Sequence, residues 1–88
     1  MTQPAVTVYT SDWCPYCRRA KDLLTQKNVV FTEINVDEGP QLRQEMMTRS
    51  SRRTVPQIFI GDKHVGGCDD LMELDRSGEL IRLIQGER

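Results

Sequence analysis

The first part of the chain alternates between short β-branched runs and a longer stretch with helical spacing. The run AVTVY (5–9) is typical of a buried strand. After it, Leu23 and Leu24 belong to an apolar series at helical spacing, which predicts a helix that stops near Asn28. Apolar and polar residues alternate again in VVFTEINV (29–36), which predicts a second strand.

The middle of the chain predicts a second helix and then a hairpin. A polar segment with a modest apolar stripe (40–50) opens with a proline and predicts the helix. QIFI (57–60) and KHVG (63–66) are two short strands, and Gly61-Asp62 between them is a reasonable hairpin turn.

The last part of the chain predicts two short helices. Asp70 stands in a capping-box relation to Glu73, so we expect a helix to begin at Asp70. Gly78 ends that run, and the apolar residues of 80–84 predict a final helix.

The order of these elements, β-α-β-α-β-β-α-α, indicates the fold class. A strand–helix–strand unit predicts a parallel pair with a right-handed crossover, and the hairpin adds two strands, at least one of them antiparallel. We therefore expect an α/β fold with a small, four-stranded mixed sheet flanked by helices on both faces. Ligands of such sheets bind beyond the carboxyl ends of the parallel strands, and Cys14 lies just past the end of the first strand.

Composition narrows the function classes. With 88 residues, 38% of them hydrophobic, the sequence predicts a single domain over 1–88. A net charge of -1 gives no global attraction to nucleic acid or to an anionic membrane, so we expect neither as a partner. We expect no secretory signal and no membrane helix. Three cysteines, an odd number, fit a secreted disulfide scaffold poorly and favour the reducing cytoplasm.

The pair Cys14-Pro15-Tyr16-Cys17 is the main candidate for chemistry. Pro15 fits the first position of the predicted helix, so Cys14 is expected to cap that helix and Cys17 to lie one turn further on. The unpaired N–H groups and dipole of a helix N-terminus, together with the basic residues of 18–21, favour a thiolate. We predict that Cys14 is the attacking thiolate and Cys17 the resolving thiol.

Other interpretations of the cysteines stay open on the residues alone. His64 and Cys68 would complete a zinc site with Cys14 and Cys17, although strand alternation makes His64 a solvated side chain. A structural disulfide between Cys14 and Cys17 would close too small a loop to stabilise the fold much. Cys68 is either a small buried residue, which we favour, or a third reactive thiol.

Two further motifs lie downstream of the cysteine pair. TVP (54–56) precedes a strand, where Pro56 is tolerated as an ordinary trans proline at the strand start. GGCDD (66–70) puts two glycines before a helix N-terminus, which is either a place where backbone N–H groups hold a carboxylate or a plain loop with an acidic cap.

Together, CPYC, TVP and GGCDD in this order resemble the glutaredoxins, in particular the small bacterial dithiol class, over nearly the whole chain. The resemblance implies a thioredoxin-like fold, glutathione as the reducing co-substrate and no tightly bound cofactor. It also implies a cis bond before Pro56, which would aim the backbone of Val55 at the cysteine pair, where an extended thiol peptide could pair with it.

The resemblance further implies a glutathione site around the motifs. Tyr16 would line the groove, and Arg43 and Arg53 are our candidates for the glycine carboxylate. The γ-glutamyl end would lie against the second motif, with helix-end N–H groups on its carboxylate and Asp70 on its ammonium. The remaining implied contacts are Thr54, Val55, Pro56, Gly67, Cys68 and Asp69.

The sequence departs from the family pattern beside the first cysteine. Ser11 stands where many glutaredoxins carry a lysine, and the missing charge would weaken glutathione binding by about 1 kcal/mol if exposed. Trp13 precedes Cys14 as it does in thioredoxins, which leaves reduction by a thioredoxin-type reductase as an alternative. A second alternative is a metal-binding module, with zinc or with an iron–sulfur cluster bridging two chains.

The resemblance leads to a defined enzymatic expectation. We expect a monomeric, cytoplasmic glutathione-dependent disulfide oxidoreductase that acts on disulfide-containing or glutathionylated proteins. Protein disulfides would be reduced by Cys14 and Cys17 together, whereas glutathione mixed disulfides would need Cys14 alone.

Overall fold

The structure is a computed structural model, and it describes residues 3–86. In this range four strands and four α-helices follow one another in the expected order. Their bounds are β1 Val6–Thr10, α1 Pro15–Gln26, β2 Thr32–Asn35, α2 Pro40–Ser50, β3 Gln57–Ile60, β4 Lys63–Gly66, α3 Cys68–Arg76 and α4 Glu79–Ile84, with one 3₁₀ turn at Val36–Glu38.

The four strands form one mixed sheet in the order β2-β1-β3-β4. The central strand β1 pairs in parallel with β2 and antiparallel with β3, and β4 completes the sheet as an antiparallel hairpin with β3. The parallel pair is joined through α1, as a strand–helix–strand unit requires. The expected four-stranded mixed sheet is confirmed.

Helices cover both faces of this sheet, and each face has its own core. Because side chains alternate along a strand, Val8 of β1 and Ile58 of β3 point to one face, where they pack with residues of α1, α3 and α4. Tyr9 and Phe59, one residue further along each strand, belong to a second core with Met46 of α2. The buried residues of the first core are aliphatic, with Phe31 packed against them, and the buried residues of the second core include two aromatic rings.

The predicted bounds of two elements are wrong by two residues or more, and β1 is shifted by one residue from 5–9 to Val6–Thr10. The second strand covers only Thr32–Asn35 because Val29 and Phe31 pack into the aliphatic core before the strand begins, and Val36 opens the 3₁₀ turn. The third helix begins at Cys68, two residues before the expected start at Asp70.

The boundary of α3 has a simple cause. Asp70 is the third residue of the helix, and its carboxylate accepts a hydrogen bond from the N–H of Gly67, the residue that precedes the helix. Asp70 therefore does take part in capping, but from inside the first turn. Over residues 3–86 no helix is long and apolar enough to cross a membrane.

Candidate active site

The first half of the site lies at the junction between β1 and α1. Cys14 has extended backbone angles and caps α1, and Pro15 occupies the first helical position, as predicted. The N–H of Cys17 donates a hydrogen bond of 3.1 Å to the Cys14 Sγ. The cap acceptor of α1 is therefore a sulfur atom, and no acidic side chain lies in the first turn to compete with it.

The loop before Cys14 is tied to the end of β2. The N–H of Asp12 donates to Asp37 Oδ2 at 2.7 Å, and Asn35 Nδ2 donates to Asp12 Oδ1 at 2.9 Å. The guanidinium of Arg43 pairs with Asp37 at 3.2 Å and so belongs to the same network. These contacts hold a loop in which Trp13 has a left-handed φ of 57° and a fully exposed side chain.

The two cysteines of the pair have different surroundings. Cys14 is partly exposed, whereas Cys17 is only 2% exposed. Burial, reinforced by the hydrogen bond with Cys14, raises the pKa of the Cys17 thiol to about 12. A substrate sulfur can therefore reach Cys14, while Cys17 is a protonated, buried thiol at neutral pH.

The segment before β3 lies against Cys14. The Val55–Pro56 peptide bond is cis, which confirms what the family resemblance implied and corrects the trans bond expected from the residues alone. The carbonyl oxygen of Val55 lies 3.9 Å from Cys14 Sγ. Backbone of the TVP motif is thus next to the thiol.

The N-terminus of α3 forms the far side of the site. Asp70 Oδ2 accepts from the N–H of Gly67 at 2.9 Å and from the guanidinium of Arg52 at 3.1 Å. These two contacts, the N–H of Gly67 first, lower the pKa of Asp70. Gly66 allows this arrangement because its φ is +122° and a Cβ there would collide with the Asp70 carboxylate.

A cavity of about 240 Å³ brings most of the predicted glutathione residues together. Arg52 lines it as well, whereas Arg43 and Arg53 do not. The predicted residues that line it are Tyr16, Thr54, Val55, Pro56, Gly67, Cys68, Asp69 and Asp70. Cys68 is buried, as favoured from the sequence, and burial raises the pKa of its thiol.

Arg52 is the residue that sequence reasoning missed. It stands next to Arg53 in a stretch of two arginines before TVP, and nothing in the spacing distinguishes them. The distinction comes from the turn after α2, where Ser51 adopts a left-handed φ of 59°. After this turn, the guanidinium of Arg52 lies 3.1 Å from the carboxylate of Asp70.

A larger cavity of about 590 Å³ is lined by Cys14 and Cys17 and by residues that the sequence analysis did not assign to a ligand. Within it, Lys21 pairs with Glu33 at 3.0 Å, and Thr10 donates to the same carboxylate at 2.7 Å, which lowers the pKa of Glu33. Ser11 also lines this cavity. A lysine at that position would therefore add a positive charge to a cavity that Lys21 already lines.

The residues proposed as zinc ligands do not form a cluster in the described part of the structure. Among the residues from 3 to 86, no three or more His, Cys, Asp or Glu side chains lie together in a group that could hold a metal ion. His64 is not a freely solvated side chain either, because it is only partly exposed and its Nε2 lies 2.7 Å from the amide oxygen of buried Gln57. The expectation of an exposed histidine is thus corrected.

Comparison with known proteins agrees with this architecture. The family model described as glutaredoxin matches residues 6–65. The chain is 54% identical over 81 residues to a glutaredoxin of Pseudomonas aeruginosa, covering 92% of this chain and 96% of that protein.

Two solved structures are also similar. The solution structure of glutaredoxin from Brucella melitensis superposes with a TM-score of 0.87 at 49% identity, covering 100% of this chain and 97% of that one. The crystal structure of a buckwheat glutaredoxin–glutathione complex superposes with a TM-score of 0.86 at 32% identity, covering 94% and 78%. The thioredoxin-like fold is thereby confirmed.

Proposed function

Because the chain belongs to the glutaredoxin family, whose members are thiol–disulfide oxidoreductases, we propose that it reduces disulfides with electrons from glutathione. The observation that carries this proposal is the position of Cys14, a partly exposed thiol at a helix N-terminus whose Sγ lies 3.9 Å from the carbonyl oxygen of Val55, a residue that lines the cavity of about 240 Å³. A related protein from buckwheat is described as a complex with glutathione, which supports the choice of co-substrate.

Reduction of a glutathione mixed disulfide needs Cys14 alone. The Cys14 thiolate attacks the glutathione sulfur, the substrate thiolate leaves and takes a proton, and glutathione remains bound to Cys14 as a new disulfide. A second glutathione thiolate then attacks the bound glutathione sulfur, which forms glutathione disulfide and returns Cys14 as a thiolate. The N–H of Cys17 donates to the Cys14 sulfur at 3.1 Å, and it can keep this hydrogen bond to the thiolate at the start and the end of the cycle.

Reduction of a protein disulfide uses both cysteines. Cys14 attacks one substrate sulfur, and the other leaves as a thiol. Cys17 then gives up its proton and attacks the Cys14 sulfur, which releases the second substrate thiol and leaves a Cys14–Cys17 disulfide. Two glutathione molecules reduce that disulfide and become glutathione disulfide.

The cavity next to Cys14 suits an extended tripeptide. The backbone of Val55 can pair with the substrate backbone as a neighbouring strand would. The N–H groups of Cys68 and Asp69 lie in the first turn of α3, where no helical carbonyl precedes them, and they can bind a carboxylate. Asp70 Oδ2 already accepts two hydrogen bonds, which leaves Oδ1 for the γ-glutamyl ammonium.

The other contacts follow from the lining of the cavity. Tyr16 forms one wall, and Arg52 brings a positive charge to the end that would hold the γ-glutamyl group. Arg43 and Arg53 stay predictions for the glycine carboxylate. We further propose that the enzyme acts as a monomer on cytoplasmic protein disulfides and protein–glutathione mixed disulfides.

A coupled assay tests the function. Purified protein is incubated with glutathione, glutathione reductase, NADPH and the mixed disulfide of glutathione and cysteine, and NADPH oxidation is followed. We expect rapid oxidation that disappears in Cys14→Ser. Oxidation no faster than that of the Cys14→Ser protein would refute the proposal. Activity that requires thioredoxin reductase in place of glutathione would support the thioredoxin-type alternative instead.

A further inference from the structure

Gln57 is a polar side chain with no solvent exposure, at the first position of β3 and directly after Pro56. A buried amide needs hydrogen-bond partners, and Gln57 has them on both sides. Its Nε2 lies 3.0 Å from the carbonyl oxygen of Thr54 and 3.2 Å from Thr54 Oγ1. Its Oε1 lies 2.7 Å from His64 Nε2 on the neighbouring strand β4.

The chemistry of these partners fixes the direction of every hydrogen bond. The carbonyl of Thr54 can only accept, so the NH₂ group of Gln57 must face it and the amide oxygen must face His64. His64 Nε2 must therefore carry a hydrogen and donate it to Gln57. The hydrogen bonds are therefore donated in one direction, from His64 to Gln57 and from Gln57 to Thr54.

The histidine at the start of this series of hydrogen bonds is itself held in place. Its ring stacks on Phe59 with centroids 4.8 Å apart and planes at 28°, and Phe59 in turn packs edge-on against Tyr9 of the central strand. Burial lowers the pKa of His64, and the nearby guanidinium of Arg52 lowers it further. The ring is thus a neutral donor supported by the aromatic core.

The segment that Gln57 holds has little packing of its own. Arg52, Arg53 and Thr54 are exposed, so hydrogen bonds rather than burial determine where these three residues lie, whereas Val55 after them packs against the second core. At its start, Ser50 Oγ bonds both the N–H and the carbonyl of Arg52, at 3.0 and 3.2 Å. At its end, the amide of Gln57 bonds Thr54.

We propose that Gln57 is a positioning residue for substrate binding, which acts with His64 to fix the backbone of Thr54 and Val55 beside Cys14. Val55 follows Thr54 directly, and its carbonyl lies 3.9 Å from the Cys14 Sγ. A shift of Thr54 would move the edge with which the substrate backbone pairs. This inference rests on the proposed function, since it concerns how that backbone binds glutathione.

The test replaces Gln57 by methionine, which has a similar shape and cannot donate to Thr54. We expect KM for the glutathione–cysteine mixed disulfide to rise about five- to tenfold, the effect of losing one or two neutral hydrogen bonds. We expect kcat and the rate of Cys14 alkylation by iodoacetamide to stay within about twofold, because the thiol and helix α1 are untouched. The backbone amide NMR signals of Thr54 and Val55 should shift.

Gln44→Met is the matched control. Gln44 also donates from its amide to a threonine, Thr48 at 3.2 Å, but on the exposed surface of α2, and we expect its KM to equal that of the wild type. A second pair of variants changes His64, the donor at the other end of this series of hydrogen bonds. His64→Phe keeps the stacking on Phe59 and loses the donor, so KM should rise about two- to fivefold, whereas His64→Gln restores a donor and should recover most of the loss.

The outcomes separate the inference from the proposed function. If the wild type has no glutathione-dependent activity, the proposed function fails. If the wild type is active and the KM of Gln57→Met equals that of the wild type, the positioning role is wrong, whether or not kcat of the variant falls. Should Gln57→Met fail to fold, the His64 pair decides: equal KM values in both variants and the wild type overturn the inference, and loss with rescue supports it.

Discussion

Two helix N-termini meet at this site, and they are capped in different ways. Helix α1 is capped by the sulfur of Cys14, and its first turn contains no acidic residue. Helix α3 is capped by its own Asp70 carboxylate, and Asp69 adds a second acid to the first turn. The same physical feature, a set of N–H groups without helical partners, thus meets a partly exposed thiol in one case and a fixed carboxylate in the other.

The difference fits the proposed division between chemistry at α1 and binding at α3. At α1 the favourable field of the helix acts on the proposed nucleophile, Cys14, because no side-chain carboxylate takes its place. At α3 Asp70 satisfies the N–H of Gly67, and the N–H groups of Cys68 and Asp69 are the proposed partners of a ligand carboxylate. We therefore expect mutations at α1 to change rates and mutations at α3 to change substrate affinity.

The largest effect is expected for Cys14→Ser. A hydroxyl at this position is not ionised at neutral pH. Both the glutathione mixed disulfide and a protein disulfide should therefore react at least about a thousandfold more slowly. Steady-state rates on both substrates measure this. Cys68→Ser is the control for loss of a thiol elsewhere in the site, and comparable losses in both variants would contradict the assignment of the nucleophile.

Cys17→Ser should separate the two reactions. Protein disulfide reduction needs a second thiol to release the substrate and should fall about a hundredfold, whereas reduction of the mixed disulfide should keep about half of its rate or more. The protein-disulfide assay and the coupled assay are run on the same preparation. Equal losses in the two assays would show that Cys17 takes part in both.

Asp70→Ala should affect binding at α3 with little change in the chemical step. Removal of the carboxylate takes away the cap of Gly67 and the proposed partner of the γ-glutamyl ammonium, so KM should rise about five- to tenfold. The loss of a cap should also lower the free energy of unfolding by about 1 kcal/mol. A fall in kcat at unchanged KM would break the division between the two helix ends.

Asp70 also gives a pH dependence with a definite sign. The pKa of the folded-state carboxyl lies below its ordinary value, so the stabilisation is complete above about pH 4 to 5 and is lost as the pH falls through the folded pKa. In Asp70→Asn the decline of unfolding free energy between pH 5 and pH 3 should be shallower. The difference should be under about 1 kcal/mol because the carboxylate is half exposed. Parallel curves for both proteins would refute it.

Among the variants compared by their kinetics, Ser11→Lys should have the smallest effect. It adds a positive charge to the cavity wall beside Cys14, where Lys21 is already paired with Glu33. We expect KM for the glutathione mixed disulfide to fall by up to about fivefold, equivalent to about 1 kcal/mol for an exposed charge, and the gain to shrink in high salt. Ser11→Gln, a long neutral side chain, is the control, and an equal gain there would exclude a charge effect.

Much of α1 could be predicted because its signals are local. A proline at the first helical position and a cap residue before it depend only on neighbouring residues, and both were found where expected. The start of α3 was missed because Asp70 and Glu73 have the spacing of a capping box, while in the actual cap the N–H of Gly67 donates to the carboxylate of Asp70. An aspartate at the third helical position and one at the cap give the same local pattern.

Features that depend on distant contacts could not be predicted from spacing. The cis bond at Pro56 followed from the family resemblance and not from the residues alone. Arg52 rather than Arg53 faces Asp70 because of the turn at Ser51, which only the folded chain specifies. Gln57 looked like an unremarkable strand residue, since its partners Thr54 and His64 are brought together by the hairpin.

Trp13 has a practical consequence as an optical reporter. It is the only tryptophan in the sequence, it is 99% exposed, and it directly precedes Cys14. Its fluorescence should therefore have the red-shifted emission of an indole in water, with no second tryptophan to obscure it. A substrate that covers this ring would shift the emission to the blue, so docking at Cys14 can be followed in real time without attaching a dye.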